Sequence, residues 1–201
     1  MADESINKAG VDFWEGRWQS GEVFWDHGRA APPFMEFIGK KEAPSGKVLI
    51  PGCGSGHDVR SIAEFGAEVT GMDIAPTALE VARRDNAHPR ASYIIGNILD
   101  PDPEHVRKYD WVLEHTCLCA LPPHLWSGYA AGIRKVLKPG GHYLAIFYRN
   151  PHDDGGPPFR IEEEQILELF GDGFTVLDRW IPEQSYESRV GREEIWWFKF
   201  A

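Results

Sequence analysis

The sequence predicts an α/β fold: a doubly wound, seven-stranded, mainly parallel sheet with an antiparallel last strand, preceded by an aromatic N-terminal segment. Three observations carry this. Short strand patterns alternate with helical patterns of ten to fifteen residues, the signature of βαβ units. The apolar run Val48-Leu49-Ile50 leads into a glycine-rich turn, and a carboxylate, Asp73, closes the next strand about twenty residues on. The last two strands are separated by about fourteen mostly polar residues with no helical pattern, which suits a hairpin.

Taken in order, strands are expected near Val48–Ile50, Glu68–Asp73, Ser92–Ile95, Tyr109–Glu114, Tyr143–Tyr148, Phe174–Trp180 and Ile195–Phe200. Helical patterns fall at His57–Phe65, Pro76–Asn86, Pro123–Leu137 and Ile161–Phe170. Lys138-Pro139-Gly140-Gly141 reads as a helix stop, with a cation in the last turn and then breakers. Glu162-Glu163-Glu164 reads as an acidic helix start favoured by the macrodipole. Before Lys47, Trp14, Trp18 and Trp25 stand in a stretch with little periodicity until about Pro33–Ile38. The stretch 150–160, with Asp153-Asp154-Gly155-Gly156-Pro157-Pro158, is a loop by composition. At 201 residues the chain reads as one domain, with a Rossmann-like core over 46–201 and an N-terminal segment, residues 1–45, that is different in kind and for which the family resemblance given below implies a lid.

Composition narrows the function classes. A formal charge of −10 argues against a broad nucleic-acid surface, which needs clustered cations, so a small-molecule substrate is expected. No apolar run approaches the ~20 residues that cross a bilayer, and the N-terminus lacks a signal-peptide pattern; a cytoplasmic location and no membrane partner are expected. Three cysteines make no disulfide framework and suit a reducing compartment. His115-x-Cys117-x-Cys119 has no fourth ligand at convincing spacing, so no metal is assigned and the thiols read as small buried hydrophobes. Composition leaves the oligomeric state open between monomer and dimer.

The glycine turn points to an adenosine-containing cofactor. Gly52, Gly54 and Gly56 let the backbone turn and approach a ligand, and a carboxylate at Asp73 suits ribose hydroxyls. The spacing Gly52-x-Gly54-x-Gly56 differs from the dinucleotide G-x-G-x-x-G, whose helix end receives a pyrophosphate. Three later features follow in order: Gly96-Asn97-Ile98 after the third strand, Tyr109-Asp110-Trp111-Val112-Leu113-Glu114 ending in a carboxylate, and Val136-Leu137-Lys138-Pro139-Gly140-Gly141 before the fifth strand. Together these resemble the class I S-adenosylmethionine (SAM) methyltransferases, which implies SAM in preference to a nicotinamide cofactor. On that resemblance Asn97 reaches adenine and Glu114 lies beside the methyl group, while Asn97 is equally a turn former.

Trp14-x-x-x-Trp18-x-x-Gly21-x-x-x-Trp25-Asp26 resembles the opening of the thiopurine S-methyltransferase family, which includes thiol and halide methyltransferases. The resemblance continues in Val48-Leu49-Ile50-Pro51-Gly52-Cys53-Gly54, in Glu114-His115-Thr116-Cys117-Leu118-Cys119-Ala120-Leu121 and in Gly156-Pro157-Pro158-Phe159. It implies a tryptophan lid over SAM, with Trp14, Trp18, Trp25, Gly52, Cys53, Gly54, Gly56, Asp58, Asp73, Ile74, Asn97, Ile98, Glu114 and His115 around the cofactor. An aromatic lid suits a sulfonium cation, which an aromatic face attracts by about 0.5–2 kcal/mol. The family carries tyrosine or arginine where His115 stands, so the acceptor chemistry differs there.

The implied activity is methyl transfer from SAM to a small soft nucleophile, foremost a thiol sulfur, with halide, selenium and tellurium acceptors open. His115, Tyr148 and Arg149 are the expected catalytic residues, with Asp153 and Asp154 in the following loop and Phe159 as an apolar wall or a core anchor. His115 is suited to proton transfer, and Arg149 to steering an anion. A noncatalytic SAM-binding module is the alternative from another class. An N- or O-methyltransferase is nearer, but no D/N-P-P-Y/F motif follows the fourth strand.

Overall fold

A computed structural model describes residues 10–151 and 155–201. The expected loop carboxylates Asp153 and Asp154 lie outside the described residues. The core is a seven-stranded sheet of order β3-β2-β1-β4-β5-β7-β6, formed by β1 (Lys47–Pro51), β2 (Glu68–Asp73), β3 (Ala91–Ile95), β4 (Tyr109–His115), β5 (Leu137–Tyr148), β6 (Phe174–Trp180) and β7 (Glu193–Phe200). Neighbouring strands from β3 across to β5 pair in parallel, and β7 runs antiparallel to both β5 and β6. The six-on-one arrangement matches the fold class expected from the sequence.

Alternation along the strands explains why both faces are covered. In β1, Leu49 turns to one face and Val48 and Ile50 to the other, and all are buried. On the first face α5 (Trp126–Val136) and α6 (Glu163–Phe170) bring Tyr129, Ile133, Ile166 and Phe170 against Tyr143, Phe147 and Phe198. On the second, α2 (Pro32–Lys40) and α3 (His57–Glu64) bring Phe34, Phe37, Val59 and Ile62 against Val48, Ile50 and Leu144. A further helix, α4 (Pro76–Asp85), links β2 to β3. The strand order reverses between β1 and β4, which opens a crevice at their carboxyl ends.

Two elements differ from the sequence expectation, and a third bears it out with added detail. The tryptophan stretch contains a helix, α1 (Val11–Ser20), ended by Gly21 in the left-handed conformation with Glu22 N–H donating to Arg17 O at 3.0 Å. None of its residues is buried, so it lacks the apolar stripe by which periodicity finds a helix. Lys138-Pro139-Gly140-Gly141 lies within β5: Tyr109 pairs with Leu137 but Trp111 with His142, and the intervening residues bulge out, Gly140 at φ +78°. The acidic helix start is sharper than expected, because Glu162 and Gln165 form a reciprocal capping box and the helix begins at Glu163.

One glycine fixes the approach of α5 to the crevice. A Cβ at Gly132 would lie 1.8 Å from Ile98 O, a backbone atom that cannot swing aside. Gly132→Ala is expected to cost about 1–3 kcal/mol by overpacking, a fall in melting temperature of several degrees that calorimetry would read. An unchanged melting temperature would show that the helix shifts freely.

Candidate active site

At the carboxyl ends of β1, β2 and β4 lies a cavity of about 600 Å³, within the usual range for a small-molecule site. Its floor is the β1–α3 turn. Gly52 and Gly54 sit at φ +62° and +51°, where a side chain would be strained. A Cβ at Gly52 would lie 2.8 Å from Cys117 Sγ, and one at Gly54 would lie 3.3 Å from the Trp18 ring. Asp73, at the end of β2, ties this turn to the next one: Gly54 N–H donates to its Oδ2 at 2.9 Å and Ala75 N–H to its Oδ1 at 3.0 Å. Burial pushes its carboxyl above the usual range despite these donors.

Of the residues singled out in the sequence, Gly52, Cys53, Gly54, Asp58, Asp73 and Ile74 line the cavity from the first two strand ends. Asn97 and Ile98 line it after β3, His115 after β4 and Tyr148 at the end of β5. Asn97 also acts as the turn former: its Oδ1 accepts Leu99 N–H at 2.9 Å. Three expected residues lie elsewhere. Gly56 starts α3, and its missing Cβ leaves room for the Tyr93 ring. Glu114 is 1% exposed beneath the cavity, where Oε1 accepts Cys117 N–H at 2.8 Å and Leu118 N–H at 3.0 Å. It holds the turn containing Thr116 at φ +60°, and burial pushes its carboxyl up to about 7. Arg149 follows Tyr148 and turns the other way, to Glu194 at 3.1 Å and the Ile161 carbonyl. Phe159 is a core anchor, while Pro157 and Pro158 form the wall.

The N-terminal segment closes the cavity. Trp14 and Trp18, one helical turn apart on α1, line it together with Trp25, and each meets the Trp25 ring edge-on, with centroids 5.3 Å apart for Trp14 and 6.2 Å for Trp18. Glu15 caps the start of α4, accepting from Thr77 N–H at 3.0 Å and Thr77 Oγ1 at 2.5 Å. Asp26 faces His57 at 3.4 Å, Ala31 N–H donates to Asp58 Oδ1 at 2.7 Å, and Tyr186 Oη donates to Arg29 O at 2.7 Å.

The Asp26–His57 contact is expected to make this closure pH-dependent. The pair with His57 holds the Asp26 carboxyl well below its usual range, and the pair with Asp26 raises His57, with Asp58 and Asp85 adding to the pull. A raised histidine contributes fully below its unperturbed pKa near ~6.5 and loses that contribution as pH rises through the folded value. Hydrogen-exchange protection of residues 24–31 should therefore fall from pH 6 to pH 8.5, and His57→Gln should flatten the profile. Equal protection at both pH values in the unaltered protein would remove this pin.

At the far end of the cavity His115 bridges two charges. Its Nδ1 is 2.7 Å from Asp58 Oδ2, and its Nε2 is 3.0 Å from Arg189 Nη1. A guanidinium has donors only, so Nε2 accepts and Nδ1 carries the proton donated to Asp58. Arg189 is 6% exposed, lines the cavity, pairs with Glu193 at 3.3 Å and lies over the rings of Tyr148 and Tyr186 at 5.7 and 5.3 Å. Sequence reasoning missed Arg189 and Tyr186, which stand in the polar β6–β7 connection, where no motif marks them.

The sequence matches the model of the family described as Thiopurine S-methyltransferase (TPMT) over residues 9–195. The chain belongs to the thiopurine S-methyltransferase family. Thiocyanate methyltransferase 1 of Brassica oleracea is 30% identical over 199 residues, covering 96% of this chain and 85% of that one. Thiopurine S-methyltransferase of Gluconobacter oxydans is 26% identical over 210 residues, covering 95% and 96%. Among solved structures, 1,6-didemethyltoxoflavin-N1-methyltransferase of Burkholderia thailandensis, with bound S-adenosylhomocysteine (SAH), superposes with a TM-score of 0.73 at 19% identity, covering 100% of this chain and 91% of that one. A TehB-like SAM-dependent methyltransferase of Corynebacterium glutamicum does so at 0.67 and 17%, covering 95% and 98%.

This member of the thiopurine S-methyltransferase family is a SAM-dependent methyltransferase, and its cavity fits the cofactor. Two glycines clear the floor where a Cβ would meet Cys117 or Trp18, a lining carboxylate keeps acceptor capacity beyond its backbone donors, and three indoles wall the space. Among the described residues no helix is long and apolar enough to cross a membrane.

Proposed function

We propose that this enzyme methylates a small, soft acceptor that arrives as an anion, foremost a thiolate-type sulfur. The observation that carries the reading is Arg189, a cation almost wholly removed from water at the cavity wall, flanked by Tyr148, Tyr186 and His115. Its charge is shared with Glu193, but a guanidinium has five N–H donors, and those left over in a low-dielectric wall favour the anionic form of an incoming thiol and hold it. The names of the relatives in Brassica oleracea and Gluconobacter oxydans, thiocyanate and thiopurine methyltransferases, support the same acceptor class.

SAM would lie on the glycine turn, with Asp73 toward the ribose hydroxyls, Ile74, Asn97 and Ile98 around the adenine, and Trp14, Trp18 and Trp25 over the sulfonium; it supplies an electrophilic methyl group. Residues 10–31 act as the lid of a single domain, and their aromatic side chains exclude water from the reacting groups; the expected lid to residue 45 is too long, because Phe34 and Phe37 of α2 are buried in the core. Tyr148, Tyr186 and the Pro157–Pro158 wall bound the acceptor space, and confinement there supplies the effective concentration on which an in-line displacement depends. His115 offers no free lone pair, because Nε2 accepts from Arg189. It orients the guanidinium instead of taking the acceptor's proton, which suits an acceptor already ionised.

The test is SAH formation from SAM with hydrosulfide, an aryl thiol, thiocyanate, iodide, an amine and a phenol. Turnover of the sulfur acceptors, with the amine and phenol inert, is expected. Methylation of the amine or phenol without any sulfur acceptor would overturn the reading.

A further inference from the structure

Asp58 lines the cavity, and each of its oxygens already accepts a hydrogen bond from within the protein. It is the second residue of α3, and its side chain is 13% exposed. Oδ1 accepts Ala31 N–H at 2.7 Å, at the point where the lid segment enters α2; Oδ2 accepts His115 Nδ1–H at 2.7 Å. His115 Nε2 then accepts from Arg189, whose Nη1 is also 3.3 Å from Glu193 Oε1. One unbroken chain of hydrogen bonds thus runs from the lid backbone through Asp58, His115 and Arg189 to Glu193. It joins the lid, α3, the end of β4 and the β6–β7 connection, four segments far apart in sequence.

We propose that Asp58 is a positioning residue for methyl transfer, which fixes the His115 tautomer and thereby Arg189, and which completes this only when the lid supplies Ala31 N–H. It acts through His115 and not as a cofactor contact. The proposal rests on reading the Arg189 end of the cavity as the acceptor subsite.

The argument turns on counting donors and acceptors. A carboxylate accepts on both oxygens, so it satisfies the lid N–H and the imidazole N–H together. An asparagine of the same shape has one oxygen and one NH₂. If its oxygen keeps the lid, its NH₂ faces His115 Nδ1, which must then lose its proton to Nε2. The Nε2–H would point at the Arg189 donors, donor against donor. If its oxygen keeps His115, its NH₂ opposes Ala31 N–H and the lid contact breaks. Asp58→Asn therefore cannot preserve both ends. A carboxylate holds the histidine tautomer in this way in hydrolase triads, where the amide variant keeps the geometry but has the wrong tautomer.

Three readouts on the full-length protein test this. In ¹⁵N spectra of the SAH-bound protein, His115 should carry its proton on Nδ1, and Asp58→Asn should move it to Nε2 or mix the two. With hydrosulfide as acceptor, Asp58→Asn should lower kcat/KM for the acceptor by about 10–100-fold while KM for SAM changes by less than about threefold. In a double-mutant cycle with His115→Gln the losses should be non-additive, since without the imidazole the asparagine can give its oxygen to the lid; a merely structural aspartate would give additive losses. An Nε2–H tautomer in the unaltered protein overturns the proposal without reference to any variant. So does an Asp58→Asn enzyme within about twofold of the parent, or an additive cycle. If no sulfur acceptor turns over but the tautomer shifts as stated, the acceptor reading fails and the positioning role stands. If sulfur acceptors turn over and Asp58→Asn is silent in both kinetics and spectra, the positioning role alone fails.

Discussion

Arg189→Lys is expected to lower kcat/KM for a thiol-type acceptor by about 100-fold while leaving SAH affinity within about threefold. The two residues share a charge but not a shape: a guanidinium is a planar fork whose donors can serve several partners at once, and an ammonium is a strongly hydrated point charge. Arg189 presents Nη1 to His115 Nε2 at 3.0 Å and to Glu193 Oε1 at 3.3 Å while its plane lies near the Tyr148 and Tyr186 rings. A lysine can meet Glu193 or His115 but loses the stacked, laterally held charge that faces the cavity. Arg189→Leu is a poorer test, because Glu193 is 2% exposed and its Oε2 already lacks a partner among the described residues. Stranding that carboxylate costs about 3–5 kcal/mol, so the leucine variant needs Glu193→Gln beside it. Acceptor kinetics at saturating SAM and calorimetry with SAH separate the two ends of the cavity. Equal losses at both ends would mean that Arg189 is a general structural pin; unchanged acceptor kinetics would remove it from the acceptor subsite.

The fold was legible because its signals are local and repeat. Each parallel strand is a short apolar run, each crossover helix carries its own periodicity, and Gly52-x-Gly54 followed by Asp73 describes a turn and its tether within one βαβ unit. The part of the cavity proposed to hold the cofactor is built from such units, so most residues named there from the sequence do line the cavity, while Glu114 and Gly56 do not. Glu114 closes a strand, as expected of a site carboxylate, but the chain turns over it at Thr116 and buries it under the backbone it supports. The part proposed to take the acceptor is assembled from the lid, the β4 turn and the β6–β7 connection, and no sequence spacing encodes where three loops meet. Arg149 was the arginine that the strand pattern offered, one residue past Tyr148; the extended backbone sends consecutive side chains to opposite faces, so only Tyr148 reaches the cavity. Arg189 had to be seen in place.

Asp73→Asn is expected to separate cofactor binding from stability. In the folded protein burial raises the Asp73 carboxyl, so at neutral pH its charge is held against desolvation by the N–H groups of Gly54, Ala75 and Ile74. A carboxyl whose folded pKa is raised subtracts from stability once pH exceeds its unfolded value near ~3.9, the opposite of a salt-bridged aspartate. An amide removes that cost but turns its NH₂ toward at least one of these backbone donors, which costs about 1–3 kcal/mol for a buried group left without a partner. The two effects oppose each other, and the melting temperature should move by only a few degrees. Cofactor binding has no such compensation. The carboxylate proposed to face both ribose hydroxyls loses its charge and one acceptor, and hydrogen bonds to a charged group are worth about 1.5–3 kcal/mol each. SAH affinity should fall by about 100-fold, read by calorimetry on a variant shown by its melting curve to be folded. An Asp73→Asn protein that binds SAH as tightly as the parent would take the ribose away from Asp73 and leave that carboxylate only the tethering of the glycine turn.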